Sequence, residues 1–154
     1  MPRNDSVWLR VDIAAQQLSL FEGETLLSRW PVSTAKNGPG QWMDSGCTPL
    51  GEHRVRIKIG EGCPENTVFV GRRPTGEIYS ETLSAAQPRR DWILTRVIWL
   101  TGTEPGHNRG GDCDTLRRYI YIHGCPDVIP LGVPLSHGCI RMRNADLIDL
   151  FGRV

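Results

Sequence analysis

Apolar and polar residues alternate with a period of two in several short segments, which is the pattern of β-strands with one buried face. In residues 54–59, for example, valine and isoleucine alternate with arginine and lysine. The turn-forming run Glu22-Gly23-Glu24 separates two further segments of this kind and predicts a hairpin. The pattern therefore predicts a mainly β fold, of the β-rich α+β class. The predicted strands are residues 7–13, 18–21, 26–32, 55–59, 67–70, 77–80, 92–101 and 118–123.

One helix is predicted at the C-terminal end of the chain. Asn144 is a favourable N-cap, and Asp146 suits the positive end of a helix dipole. Leu147, Ile148 and Leu150 are expected to form its buried stripe. Between the strands, runs rich in glycine and proline predict long loops at residues 36–51, 102–114 and 124–138.

The length and charge of the chain limit its organisation and its partners. A chain of 154 residues without an internal repeat predicts a single domain over residues 1–154. The formal net charge of +1 gives no basis for nucleic-acid or membrane-surface binding, and no segment approaches the roughly 18 apolar residues of a membrane span. Residues 1–20 contain charged side chains and no apolar signal region. A cytoplasmic location is expected as written, or the periplasm or cell envelope if the natural protein has upstream residues.

The five cysteines are an odd number, so at least one cannot pair internally, and without a leader all five are expected to be reduced. Nothing in the sequence around Cys47, Cys63 or Cys113 suggests chemistry, and core packing is the simplest interpretation. Cys139 is different, because it lies in the run Ser136-His137-Gly138-Cys139-Ile140-Arg141-Met142.

A nucleophilic cysteine needs a neighbouring base, since its ordinary pKa is about 8.5. His123 ends a predicted strand, and the proline-rich loop after it can fold back and bring Cys139 alongside. Gly138 allows close backbone approach to a substrate, so the Gly138 and Cys139 amides can point at an oxyanion. Arg141 is placed to pair with a carboxylate. The spacing predicts a Cys–His pair for acyl transfer.

Four further residues lie beside this pair. A ring at position 137 cannot easily aim at a thiol two residues later on a tight turn, so His137 is expected to shape the loop. Ser136 is expected to brace the same turn. Tyr119 and Tyr121 share the strand face of His123 and either line the cleft or pack in the core.

The chain resembles the L,D-transpeptidase catalytic domain family of the YkuD type. The signature is long and ordered, and the resemblance extends over nearly the whole chain. It is carried by His123-Gly124, Ser136 to Met142, Asn144 and Asp146, by the hairpin Val11 to Glu22, by Pro31-Val32-Ser33-Thr34 and by Thr48-Pro49-Leu50-Gly51.

The resemblance implies a fold and a reaction. The fold is a mixed sandwich or distorted barrel with one or two short helices. Cys139 would be acylated by a peptidoglycan tetrapeptide stem at the bond between an L-centred diamino acid and terminal D-Ala. D-Ala leaves, and an amine or water resolves the thioester. No cofactor or metal is needed, and acylation by carbapenem-type inhibitors is expected.

The resemblance also implies roles for individual residues. His123 is the general base, and the backbone carbonyl of Gly124 orients its imidazole. The amides of His137, Gly138 and Cys139 form the oxyanion hole. The predicted substrate-binding side chains are Arg141, Ser136 and Tyr121.

Three alternatives remain open at this point. Residues 102–114 and 118–123 resemble a leaderless subgroup of cytosolic L,D-carboxypeptidases, which trim muropeptides during murein recycling by hydrolysis alone. A non-catalytic domain that binds wall peptides would use the same arginines. A zinc site could be assembled from two His-Gly-Cys triplets, although ligands at i and i+2 on a strand cannot easily close around one ion. Its ligands would be His123, Cys125, His137 and Cys139.

Overall fold

The computed structural model describes residues 7–154, which form nine strands and two short helices. The first three strands pair in sequence order as an antiparallel sheet, in agreement with the predicted hairpin and the strand before it. The alternating pattern of the sequence is preserved in β1, whose residues are half-buried and exposed in turn. These strands are β1 (Val7–Asp12), β2 (Gln17–Glu22) and β3 (Thr25–Pro31).

The other six strands form a mixed sheet with the order β6-β5-β7-β8-β9, and β4 pairs with β7. All neighbours are antiparallel except β8 and β9, which run parallel. Together with two short helices, this confirms the predicted β-rich fold class. The elements are β4 (His53–Ile59), β5 (Thr67–Val70), β6 (Arg73–Ile78), α1 (Glu81–Ala86), β7 (Ile93–Gly102), β8 (Tyr121–Gly124), β9 (Ile140–Met142) and α2 (Asn144–Phe151).

The main core lies between the two sheets and α2. Strands β8 and β9 send Ile122, Ile140 and Met142 into it, and these side chains are at most 3% exposed. Because side chains alternate across a strand, the intervening residues of β8 and β9 must face the opposite side of the sheet. The core also contains Leu18, Leu20, Trp30, Val32, Ile98, Ile120, Leu147, Leu150 and Phe151.

Strand β6 begins earlier than the sequence predicts. The turn before it has only two central residues, Gly71 and Arg72, with φ of 56° and 64°. Positive φ at both positions is the geometry of a type I′ hairpin turn. Val70 therefore pairs directly with Arg73, and the prediction of a strand over residues 77–80 after a longer turn was wrong.

Strand β8 begins later than predicted, at Tyr121 rather than Arg118. The Tyr119 N–H donates to the Leu116 carbonyl at 3.1 Å, and Tyr119 has φ of 56°. Because its N–H is bonded within this local turn, Tyr119 does not pair in the ladder of β8. Residues 118 and 119 therefore belong to the turn that leads into β8.

Two predictions about the C-terminal helix were wrong. Asn144 is its first residue, while the N-cap position is Arg143, which makes no capping hydrogen bond. The Asn144 side chain is buried and bonds elsewhere in the fold. Ile148 is 37% exposed, whereas Phe151 is 7% exposed and joins Leu147 and Leu150 in the core.

Helix α1 was not predicted. Ser80 is the N-cap of this six-residue helix, because its hydroxyl accepts a hydrogen bond from the Leu83 N–H at 3.1 Å. The predicted loop over residues 102–114 contains one 3-10 turn and folds around the buried Asn108. Within the described residues, neither helix has the length and hydropathy needed to cross a membrane.

Candidate active site

Strands β8 and β9 bring the predicted pair into one cleft. Their parallel register places His123 opposite Arg141, and Cys139 lies two residues before Arg141. Residues two apart share a face, so Tyr121, His123, Cys139 and Arg141 all point away from the core. Strand spacing puts the His123 and Cys139 Cα atoms about 8 Å apart. All four line a cleft of about 290 Å³.

The His123 imidazole is held in one orientation. It is 2% exposed, and its Nδ1 lies 2.6 Å from the Gly124 carbonyl oxygen. A carbonyl only accepts hydrogen bonds, so Nδ1 carries the proton and Nε2 is free to accept one. Burial lowers the pKa of His123 below its usual 6.5, and the bond to Gly124 opposes part of this shift. The imidazole is therefore neutral near pH 7.

The Cys139 thiol is half-buried at the floor of the cleft. Its sulfur accepts from the Tyr121 N–H at 3.3 Å, and its S–H donates to the Tyr119 carbonyl at 3.4 Å. Burial raises the pKa of Cys139 to about 12. Within residues 7–154 no hydrogen bond joins this thiol to His123, so the S–H must rotate away from Tyr119 before the imidazole can take its proton.

The turn before the thiol requires a glycine. Gly138 has φ of 135°, and a Cβ there would lie 3.2 Å from the Cys47 carbonyl oxygen. The Ser136 hydroxyl spans the turn, since it donates to the Cys139 carbonyl at 2.6 Å and accepts from the Gly138 N–H at 3.2 Å. The Gly138 amide is therefore engaged in the turn. In the described part of the chain, the amides of His137 and Cys139 donate to no acceptor.

Two motifs from distant parts of the chain hold this turn in place. The Thr48 hydroxyl donates to the Gly138 carbonyl at 2.9 Å. Ser33 and Arg141 exchange backbone hydrogen bonds of 3.0 and 2.9 Å. The residues around 31–34 and 48–51 thus support the backbone beside the thiol.

Asp91 is a cleft residue that the sequence reasoning missed. Its Oδ1 lies 3.3 Å from Arg141 Nη2, and its Oδ2 lies 3.4 Å from His137 Nδ1. The Arg141 Nη1 donates to the Leu135 carbonyl at 3.3 Å. The Arg141 side chain is 10% exposed, so its guanidinium is nearly enclosed by protein partners. Asp91 follows Arg89 and Arg90 in a segment without an alternating apolar pattern, so the sequence alone did not predict that it lies in the cleft.

An aromatic wall lies beside the thiol. Tyr121 is 5% exposed, and its hydroxyl accepts from Arg72 at 3.2 Å. The Arg72 guanidinium lies 5.0 Å from the Trp99 ring centroid and 4.6 Å from that of Tyr119. The turn between β5 and β6 is therefore fastened to the edge of the cleft.

The arrangement does not favour the zinc alternative. Cys125 is buried and its thiol faces the Met142 carbonyl at 3.5 Å, while Cys139 faces Tyr119. Across residues 7–154 there is no cluster of three or more side chains of the types that bind metals. All five cysteines are free thiols. A neutral imidazole and a neutral thiol that line the same cleft can instead support nucleophilic catalysis assisted by a general base.

The family model of the L,D-transpeptidase catalytic domain, YkuD, matches residues 6–154. Among curated proteins, none matches the chain.

Solved structures share the fold at low identity. L,D-transpeptidase 3 from Mycobacterium tuberculosis, in complex with a faropenem-derived adduct, is 15% identical with a TM-score of 0.56, over 97% of this chain and 56% of that one. An L,D-transpeptidase from Mycobacterium smegmatis is 18% identical with a TM-score of 0.54, over 97% and 54%. LD transpeptidase LdtMt1, in complex with imipenem, is 17% identical with a TM-score of 0.53, over 97% and 55%. The chain thus spans about half the length of these proteins.

Proposed function

Because the chain belongs to the L,D-transpeptidase catalytic domain family of the YkuD type, we propose that it is a cysteine-dependent acyl-transfer enzyme acting on peptidoglycan tetrapeptide stems. Residues 1–154 act as one catalytic domain in this proposal. The observation that carries it is that His123 on β8 and Cys139, the residue just before the parallel strand β9, line one cleft, with the imidazole held by Gly124.

The first half-reaction forms a thioester. As the stem peptide binds, the Cys139 S–H turns from the Tyr119 carbonyl toward His123 Nε2, which takes the proton. The sulfur attacks the carbonyl carbon of the L-centred diamino acid. The bond to the D-Ala nitrogen then breaks, and D-Ala leaves as an amine with the proton returned by His123.

The oxyanion of this step needs preorganised donors. The amides of His137 and Cys139 have no competing acceptor in the described residues, whereas the Gly138 amide must first leave Ser136 Oγ. Each such donor is typically worth about 10² to 10³ in rate. In the second half-reaction His123 deprotonates an amine or water, which attacks the thioester carbonyl and releases Cys139.

The substrate-binding roles are proposed for three side chains of the cleft. A substrate carboxylate that reaches Arg141 has to compete with Asp91, which already contacts the guanidinium. Tyr121 contributes the wall beside the thiol, and Ser136 acts through the turn that it braces. A carbapenem should acylate Cys139 in the same way as the peptide, with opening of the β-lactam ring and no leaving group.

Mass analysis of the products tests the proposal. The protein is incubated with a free tetrapeptide or a disaccharide tetrapeptide, with and without an amine acceptor such as a second stem. Loss of one D-Ala supports acylation at the proposed bond. A tripeptide alone identifies water as acceptor and an L,D-carboxypeptidase, while a coupled or exchanged product identifies a transpeptidase. No D-Ala release from any stem would overturn the proposal.

The pH dependence of kcat/KM should show an acid limb with its midpoint below 6.5, since burial lowers the pKa of His123 and only the neutral ring accepts the proton. The rate should then stay level to about pH 9, because the pKa of Cys139 is raised to about 12 and the thiol does not ionise in that range. Initial rates of D-Ala release from pH 4.5 to 9.5 measure this. A midpoint at 8 to 9 would mean that a preformed thiolate, not general-base catalysis, limits the reaction.

Arg141→Lys is expected to reduce turnover about tenfold while lowering Tm by only a few degrees. Lysine keeps the charge but has no planar fork, so it cannot contact the Leu135 carbonyl and a carboxylate together. Loss of one such hydrogen bond costs about 1 kcal/mol, or roughly 2–4 °C in a domain of this size. Steady-state kinetics and thermal melts measure both. A large fall in Tm with normal turnover per folded molecule would make Arg141 a structural anchor only.

A further inference from the structure

Three side chains from separate parts of the chain form a closed ring of hydrogen bonds behind the cleft. The Thr95 hydroxyl donates to Asn144 Oδ1 at 2.7 Å and accepts from the Asn66 N–H at 3.0 Å. Asn144 Nδ2 closes the ring by donating to Asn66 Oδ1 at 3.0 Å. We refer to these residues as the Thr95–Asn66–Asn144 network.

The backbone at two members of this network is strained. Thr95 has φ of 76° and Asn66 has φ of 69°. A left-handed conformation is tolerated by asparagine but is unfavourable for a β-branched residue such as threonine. Thr95 is fully buried and lies where the register of β7 against β8 shifts between Leu94 and Val97. Strain at a buried position persists only where the surrounding contacts impose it.

The network contacts the two residues that flank the peptide holding the imidazole. Asn144 Nδ2 also donates to the Cys125 carbonyl at 3.2 Å. On its other side, Asn144 Oδ1 and the Leu94 carbonyl lie so close to Gly124 that a Cβ there would overlap both. Asn144 thus contacts the chain on both sides of the Gly124–Cys125 peptide, at the Gly124 Cα and at the Cys125 carbonyl of the following peptide, and the Gly124 carbonyl between them faces His123 Nδ1 at 2.6 Å.

We propose that the Thr95–Asn66–Asn144 network is a positioning device for the base: it holds the Gly124–Cys125 peptide so that the Gly124 carbonyl stays aimed at His123 Nδ1. This inference rests on the proposed role of His123. Without the network, the peptide is free to tilt, and Nδ1 loses its fixed acceptor. The proton then distributes between Nδ1 and Nε2, so a fraction of the molecules has no acceptor facing Cys139. The loss should appear in kcat rather than in KM, because none of the three residues lines the cleft.

Thr95→Val tests the network, because it removes the hydroxyl and keeps the β-branched shape. We expect kcat for D-Ala release to fall about 10- to 100-fold, by analogy with the range for groups that orient metal-binding histidines, with KM within twofold. Thr95→Ser restores the hydroxyl and should recover kcat to within threefold of wild type. Thr67→Val is the matched control, because its buried hydroxyl bonds to the Pro64 carbonyl outside the network. It should leave kcat within threefold.

A second measurement separates positioning from folding. Nitrogen chemical shifts of the His123 ring at pH 8 should show the Nδ1–H tautomer in wild type and a mixture of tautomers in Thr95→Val. Thr95→Gly also removes the hydroxyl but relieves the unfavourable φ, so its Tm should differ from that of Thr95→Val while its kcat falls to the same extent. If Thr95→Val does not fold, Asn66→Gly, which removes the Oδ1 acceptor and suits the positive φ, takes its place.

Each outcome decides the inference. An unchanged His123 tautomer in the folded variant would overturn it, as would a fall in kcat that only parallels the fall in Tm. The ring shifts need no turnover, so they report on the network even if the wild-type protein releases no D-Ala. In that case the proposed function fails while the positioning of His123 is still measured.

Discussion

Cys139→Ala is expected to abolish D-Ala release, with a loss of at least about 10⁴ in kcat. The thiol is the nucleophile in the proposed reaction, and alanine leaves only substrate binding and the backbone donors of the turn. The variant should also form no covalent adduct with a carbapenem. Coupled detection of D-Ala and intact-protein mass spectrometry measure the two losses.

Cys63→Ala is the matched control for this experiment. Cys63 is a half-buried free thiol that packs against the same aromatic cluster as Cys139 but does not line the cleft. It should keep turnover and adduct formation within about threefold. Turnover near wild type in Cys139→Ala would refute the assigned nucleophile. A wild-type protein that binds stems without turnover, as tightly as Cys139→Ala does, would instead identify a non-catalytic binding domain.

His123→Ala is expected to lower the rate of acylation by at least about 10², the usual contribution of a positioned general base. The loss should be large here because the pKa of Cys139 is raised to about 12, so almost no thiolate exists without the base. For the same reason the residual rate of the variant should rise steadily with pH from 7 to 9.5. Single-turnover formation of a carbapenem adduct measures the acylation step directly.

His137→Ala gives the comparison for the base. The His137 side chain is 76% exposed, and among the described residues its only polar side-chain partner is Asp91, at 3.4 Å. Its replacement should cost no more than about tenfold, because the backbone amide at position 137 remains. If His137→Ala loses more than His123→Ala, the base has been assigned to the wrong imidazole.

Local pattern predicted β8, one of the two strands that build the cleft, whereas β9 was not among the predicted strands. In residues 120–123 and 139–142 the isoleucines and Met142 alternate with the polar and reactive side chains, so burial of one set exposes the other on a common face. The loop from 124 to 138 then needed only to return the chain beside β8. Where each strand begins was harder to predict, because Tyr119 and Arg72 adopt positive φ without being glycine.

Contacts between distant segments could not be predicted. Asp91 reaches Arg141 only because β7 carries the segment before it to the edge of β8, and no local pattern encodes that distance. Asn144 satisfies the preference for asparagine at a helix start, yet its amide is drawn into the core by Thr95 and Asn66. The preference of asparagine for a helix cap and the hydrogen bonds of the core place different requirements on this side chain. The buried hydrogen bonds determine where it lies.

The parallel pairing of β8 and β9 has a consequence for how proteins of this design diversify. The ladder between Ile122 and Ile140 sets the separation of imidazole and sulfur, while residues 126–134 connect the two strands. Lengthening such a connection carries only a small entropic penalty. Insertions or deletions there should leave the reacting atoms undisturbed, because none of these residues lines the cleft. Variants with shorter or longer connections between β8 and β9 would show how much the length can change without moving the reacting atoms.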